Sequence, residues 1–167
     1  MITIKELKTL KESEDKVEFK KGEKGNISYD GRGKTKPSDR RRCILGYVIA
    51  LCNEKGGYLV IGMTDNYPHE VVGTSQNINS IGELEANIYR DTKIRPKVYE
   101  LYEDSKRVLV IDVPSRPVAK VFKFEDVPLM RVGKELKPMS DQVYLDILQE
   151  QDLDFSKQIC ENLTIDN

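Results

Sequence analysis

The stretch from residue 40 to residue 65, RRRCILGYVIALCNEKGGYLVIGMTD, constrains the fold more than any other part of the sequence. Its apolar residues cover most of a helical circumference, which predicts a buried helix. Ser38 or Asp39 is placed to cap that helix, so three arginines lie in its first turn at the surface. Gly56-Gly57 ends the helix, and the apolar run YLVIGMTD predicts a strand.

The other periodic segments mix helices with strands. TIKELKTLKESED and SIGELEANIYRDT have helical spacing, and SDQVYLDILQEQ is a capped final helix. KVEFK, HEVVGTS, AKVFKFED and PLMRVG predict strands, and VYELYED with KRVLVIDVP predicts a hairpin that turns at Asp104-Ser105. This order predicts an α/β or α+β domain, with helices packed on one mixed sheet, over residues 1–150. Residues 151–167 read as a linker or tail.

The composition indicates a soluble protein whose cysteines are kept reduced. Charged residues make up 33% of the 167-residue chain, the mean hydropathy is −0.53, and the apolar runs are strand-sized. The N-terminus lacks the apolar core of a signal peptide. Cys43, Cys52 and Cys160 form neither a zinc pattern nor a disulfide framework. A cytoplasmic location is therefore expected.

The net charge of −1 conceals an asymmetry between the two ends of the chain. Residues 1–42 contain thirteen Lys and Arg against eight Asp and Glu, whereas residues 141–167 contain one Lys against seven acidic residues. This distribution indicates a basic working face toward the N-terminus. A solvated charged surface would give the same counts.

Gly33-Lys34-Thr35 resembles the end of a phosphate-binding loop, but its context is wrong. The first glycine of that motif would fall at Ser28, and the preceding residues are polar rather than a buried strand. Pro37 follows closely and disfavours a helical Lys36, so the segment cannot open directly into a helix. We therefore exclude a P-loop nucleotidase.

Three segments occur in a distinctive order: ESEDKVEFKK, then RRRCILGYVIALCNEKGGYLVIGMTD, then PSRPVAKVFKFEDVPLMRVGK. Together they resemble the AlbA_2 domain shared with the Schlafen proteins, over most of the chain. The resemblance implies an AlbA-like α/β fold that binds DNA or RNA in a regulatory or defence protein. It also implies a bacterial origin and a C-terminal ATPase-like or winged-helix module as partner. A homodimer is compatible with each of the candidate functions.

The residue chemistry of GRGKTKPSDRRR supports nucleic-acid binding independently. A flexible basic loop can follow a phosphate backbone, and arginine makes forked contacts with phosphate oxygens. The predicted contact residues are Lys20, Lys21, Lys34, Lys36, Arg40, Arg41, Arg42 and Arg131. An ordinary loop with solvating charges is the alternative, and Arg131 could instead pair with a neighbour such as Asp126.

The same resemblance implies a possible catalytic set, because some Schlafen relatives are metal-dependent endoribonucleases. The matching residues here are Glu12, Glu18 and Asp65, which would hold Mg²⁺ or Mn²⁺ and activate water, with Lys20 stabilising the phosphate. Glu12 and Glu18 are six residues apart where those nucleases have five, so Glu14 could substitute for Glu12.

Two further expectations complete the sequence-based interpretation. The domain could instead mediate assembly, with exposed hairpin strands pairing between subunits and no nucleic acid bound. His69, the sole histidine, follows Pro68 in a turn and is expected at the surface.

Overall fold

A computed structural model describes residues 1–151 of the chain, and the helix and strand at its centre match the sequence pattern. Helix α3 spans Ile44–Asn53 and every one of its residues is buried. It leads through Lys55, at φ 74°, and Gly56 into strand β2 at Gly57–Ile61. The continuous apolar circumference of α3 places it inside the molecule rather than on a face.

The helix does not extend back through the three arginines as predicted. A separate short helix, α2, covers Pro37–Arg41, and α3 begins only after Cys43. The backbone N–H groups of Ile44 and Leu45 donate to the carbonyls of Ser28 and Tyr29, at 2.9 and 3.0 Å. These carbonyls satisfy donors that an uninterrupted helix would have bonded internally, so the preceding loop breaks the helix.

The main sheet has four strands in the order β1-β2-β4-β3. Strand β1 spans Val17–Lys20 and runs parallel to β2, whereas β3 (Lys97–Glu103) and β4 (Lys106–Val113) form the predicted antiparallel hairpin. One face packs on α3, and the other covers a second cluster that includes Phe19 and Val60. The segment HEVVGTS pairs only through an isolated bridge between Met63 and Val71, so it is not a strand.

The structure has a second, three-stranded sheet where the sequence predicted only one sheet. Its antiparallel strands are β5 (Lys123–Phe124), β6 (Val127–Val132) and β7 (Glu135–Pro138). It packs on α3 from the side opposite the main sheet. The side chain of Asn53, the last residue of α3, joins the helix to this second sheet. Its amide donates to the carbonyls of Phe122, just before β5, and Leu129, in β6, at 2.9 and 2.8 Å.

The remaining helices lie outside these layers. They are α1 (Ile4–Leu7), α4 (Ile81–Thr92) and α5 (Asp141–Leu148), and Ser140 caps α5 as expected. The fold is a mixed α+β domain, which confirms the predicted class. Among residues 1–151, no helix has the length and apolarity needed to cross a membrane. The tail proposed from residue 151 lies, after Gln151, outside the described residues together with Cys160.

Candidate nucleic-acid interface

The loop between β1 and α2 is anchored at its first half by the segment that follows β2. The Ile27 N–H donates to the Gln76 side chain at 2.8 Å, and the Thr74 hydroxyl donates to the Gly25 carbonyl. Arg107, itself buried, donates to the carbonyls of Thr74 and Gln76 at 3.2 and 2.7 Å. A buried cation on the main sheet therefore supports the loop through one intermediate segment.

The second half of the loop is tied to α4 and to the second sheet. The Tyr29 hydroxyl donates to Asp91 at 2.6 Å, and burial together with this hydrogen bond raises the pKa of Tyr29. Arg40 donates to the Thr35 carbonyl at 2.8 Å and pairs with Glu125 at 2.9 Å. The glycine-rich loop is thus anchored along its length, in contrast to the flexible loop that its composition predicted.

Residues 32–42, which we call the basic segment, present cations of two kinds. Arg32 pairs with Asp30 at 2.8 Å, and Arg40 pairs with Glu125. The other four have no ion pair with any residue of the described chain, and all but the half-buried Arg41 are exposed: Lys34, Lys36, Arg41 and Arg42. Lys21, just after β1, is likewise exposed. These side chains can donate hydrogen bonds to phosphate oxygens without first breaking an ion pair inside the protein.

Arg131 lies in the interior, 8% exposed, rather than on the basic surface. Its guanidinium is 3.2 Å from the Glu18 carboxylate and 3.1 Å from that of Glu54. Arg131 therefore pairs with these two glutamates and not with Asp126, the neighbour suggested by the sequence. Burial alone would lower the pKa of Arg131, but the two carboxylates raise it. Its Nε and one terminal nitrogen are bound to these carboxylates and to the Val17 carbonyl, so Arg131 joins the buried charges, although it also lines an open cavity beside Glu54.

Lys20 lies at the border between the buried charges and the surface. Its ammonium is 2.9 Å from Glu18 and 4.4 Å from the centre of the Tyr47 ring. Burial alone would lower the pKa of Lys20, but Glu18 and Tyr47 raise it. Their ion pair places Glu18 and Lys20 on the same face of β1. The sequence did not indicate Tyr47, because an aromatic residue on an apolar helix reads as core.

Glu12 and Arg131 occupy the open edge of β1. The Phe19 N–H donates to Glu12 at 2.7 Å, and Arg131 donates to the Val17 carbonyl at 2.5 Å. Burial and the nearby charge of Glu18 raise the pKa of Glu12. Glu14, offered as its substitute, is exposed and lies 3.8 Å from Lys11. The residue in the buried position is therefore Glu12, despite the longer spacing.

Asp65 is exposed and shares with Glu12 a cavity of about 130 Å³. Glu18 does not line that cavity, because its carboxylate is turned toward Arg131 and Lys20. Within residues 1–151, no three Asp, Glu, His or Cys side chains are grouped as a metal site. In this arrangement Glu12 and Asp65 share the cavity but Glu18 does not, so the three predicted carboxylates are not brought together as one site for Mg²⁺ or Mn²⁺.

His69 borders the same cavity and is buried, not exposed as predicted. Its ring stacks on Phe19 with 3.6 Å between ring centres. Its two nitrogens lie 2.7 and 2.9 Å from the carbonyls of Thr64 and Leu10. The histidine therefore links the loop after β2 to the chain before β1. No local pattern could have shown this, because the contact with Leu10 spans 59 residues of the sequence.

Comparison with known proteins places this geometry in context. A family model described as Schlafen, AlbA_2 matches residues 12–140. The crystal structure of the DIP2311 protein from Corynebacterium diphtheriae is 22% identical, with a TM-score of 0.59, and shows the same fold. That comparison covers 84% of this chain, which spans only 28% of the length of that one.

A solution NMR structure from Nitrosomonas europaea is also similar. It is the N-terminal domain of a protein described as related to the ATP-dependent DNA helicase RecG, with 19% identity and a TM-score of 0.47. The comparison covers 85% of this chain and 93% of that domain. None of the curated proteins matches the sequence.

Proposed function

The chain belongs to the Schlafen AlbA_2 family, and on that premise we propose that it binds nucleic acid through its basic segment. One observation carries the proposal: an anchored loop presents four cations of residues 32–42 that form no ion pair within residues 1–151. Unpaired, pre-positioned Lys and Arg neutralise phosphates and release counterions at little conformational cost.

The basic segment supplies affinity rather than sequence recognition. Phosphate contacts fix the position of a protein on the nucleic acid, whereas base edges are needed to read a sequence. Arg41 and Arg42 follow one another where α2 ends, and forked guanidinium contacts suit phosphate oxygens there. Arg40, which holds Glu125 and Thr35, supports the segment and is not among the phosphate contacts.

The test is binding to labelled single-stranded RNA, tRNA and duplex DNA across a salt series. We expect Arg41→Gln with Arg42→Gln to weaken binding to all three. Each neutralised phosphate contributes about −0.9 to the slope of log affinity against log salt on duplex DNA, so the slope should become shallower by about 1.8. The matched control is Lys5→Gln with Lys97→Gln, two exposed cations outside the segment. Equal affinity of the two double variants would reject the basic segment as the interface.

The same assay with added Mn²⁺ tests the endoribonuclease alternative. The one observation in its favour is the cavity shared by Glu12 and Asp65. Metal-dependent cleavage that disappears in Asp65→Ala would support an enzyme. Intact substrate at all metal concentrations would support a binding domain. A stable oligomer without nucleic-acid binding at low salt would favour the assembly alternative. The homodimer and the ATPase-like or winged-helix module remain predictions.

A further inference from the structure

A basic cavity, separate from the basic segment, lies near the C-terminal end of α3. It opens where α4 ends, and Lys93, at φ 65°, turns the chain back on the helix. That turn brings Arg95 over the ring of Tyr89, with 4.3 Å from the guanidinium carbon to the ring centre. The Lys93 ammonium is 5.6 Å from the same ring.

The other wall of the cavity repeats the pairing of a cation with an aromatic ring. The Lys120 ammonium lies 4.9 Å from the centre of the Phe122 ring. Cys52 lines the cavity between these walls, and burial raises the pKa of its thiol to about 12, so it carries no charge. The cavity measures about 240 Å³.

The charge of this cavity is of one sign. Its lining has three cations and no carboxylate in the described part of the chain, and none of the three has an ion pair there. Glu150 approaches the backbone N–H of Ala119 beside the cavity, but Arg116 holds its carboxylate at 2.9 Å. The aromatic rings hold the cations in place without neutralising them.

We propose that this cavity binds one nucleotide, either free or as part of a single-stranded nucleic acid. The Arg95 guanidinium lies over the Tyr89 ring and is exposed, so it can offer a surface to a base, as guanidinium planes stack bases in RNA-binding proteins. Lys93 and Lys120 supply the charge for the attached phosphate. The volume is below the ~300 Å³ at which pockets for drug-sized ligands begin, so the cavity would take the base of the nucleotide, with the sugar and phosphate at its opening.

The site is independent of the basic segment. The basic segment ends just before α3 begins at Ile44, and Cys52 lies eight residues further on, near the other end of that helix. A helix rises about 1.5 Å per residue, so these two points are about 12 Å apart along its axis. A nucleotide bound here would also explain why a domain with few exposed aromatic residues places one next to an unpaired arginine.

The absence of tryptophan from the chain provides a specific probe. Tyr89→Trp introduces a single tryptophan next to Arg95, and its emission should be quenched by a base that binds on Arg95. We would titrate the full chain with AMP, UMP, adenosine, inorganic phosphate and a short single-stranded oligonucleotide. Calorimetry on the unsubstituted chain would confirm each affinity. The test variant is Arg95→Gln with Lys120→Gln, and the control is Lys106→Gln, an exposed cation away from the cavity.

We expect quenching by nucleotides and about tenfold weaker binding in the test variant, with no change in the control. Binding of the oligonucleotide but not of the mononucleotides, lost in the test variant, would identify the ligand as part of a strand. Equal affinity for phosphate and AMP, or no binding of the mononucleotides or the oligonucleotide that depends on Arg95 and Lys120, would overturn the proposal. Repeating the titration with Arg41→Gln and Arg42→Gln present separates the two sites: nucleotide binding should persist even if the basic segment proves inactive.

Discussion

The charged residues around β1 and those of the basic segment are of the same chemical types but are arranged in opposite ways. Glu18 and Arg131 are buried and paired, whereas Lys34 and Arg42 are exposed and have no acidic partner in the described chain. A buried pair is costly to break because it leaves one charge uncompensated, whereas an exposed cation contributes little to stability. The contrast separates charges that maintain the fold from charges available to a ligand.

Removing the central buried cation should have the largest effect. Arg131→Met leaves the carboxylates of Glu18 and Glu54 without their shared partner, and breaking such a buried pair costs about 3–5 kcal/mol in the free energy of unfolding. Urea unfolding measures the loss. The control, Arg32→Met, removes an arginine that is 91% exposed and should change stability by no more than about 0.5 kcal/mol. Equal losses in the two variants would show that the buried ion pairs contribute no more to the free energy of unfolding than the exposed one.

A second substitution in the Arg131 variant sharpens the interpretation. Glu18→Gln removes the carboxylate that lies deepest, at 1% exposure, and that is left with Lys20 as its one cationic partner in the described chain. If charge burial is the cause, Glu18→Gln with Arg131→Met should be more stable than Arg131→Met alone. If lost packing is the cause, the double variant should be no better, because neither substitution restores the volume of the guanidinium.

Strain in the loop should have an intermediate effect and tests whether anchoring matters on the basic side. Gly31 has φ 76°, and an added Cβ would lie 2.1 Å from the Arg40 carbonyl oxygen. We expect Gly31→Ala to cost about 2 kcal/mol of unfolding free energy and to weaken nucleic-acid binding with every cation retained. Gly33→Ala is the matched control, because its φ is also positive but no atom lies within 4 Å of its Cβ. Unchanged binding in Gly31→Ala would mean that the cations act without a fixed loop.

The sequence predicted the elements whose cause is local. The apolar circumference of α3, the Asp104-Ser105 hairpin and the Ser140 cap each depend on neighbouring residues, and the structure confirms them. The break before α3 was missed because its cause is remote: Ser28 and Tyr29 take over the hydrogen bonds of the first helical turn. The second sheet was missed because β5 has only two residues, too few for a period.

The surroundings of several candidate site residues could not be predicted for the same physical reason. Residue type identified Glu18 and Arg131 as functional candidates, but their role depends on partners 113 positions apart in sequence. His69 was expected at the surface, since no local signal shows that Phe19 and two remote carbonyls surround it. The exposed cations of residues 32–42 were identified correctly as exposed, because a polar, glycine-rich segment has few ways to be buried.

The smallest expected effect concerns Glu12, the acidic member of the β1 region whose charge is least favoured. Its pKa is raised by burial and by Glu18, so the folded state penalises the ionised carboxylate. Glu12→Gln keeps an acceptor for the Phe19 N–H and removes that charge. We expect a stabilisation of no more than about 1 kcal/mol at neutral pH.

The pH dependence of this gain has a definite sign. Above the raised pKa the native carboxylate is charged, and the advantage of Glu12→Gln is complete. As the pH falls through that value, the carboxyl group of the folded protein takes up a proton before the unfolded chain does, so the advantage shrinks. Below the ordinary value of 4.5 it should be gone. Glu12→Ala, which also removes the acceptor, should be less stable than Glu12→Gln at every pH, because the Phe19 N–H then loses its partner. Matching urea-unfolding profiles for the two variants would show that Glu12 acts through its charge alone and does not hold the edge of β1.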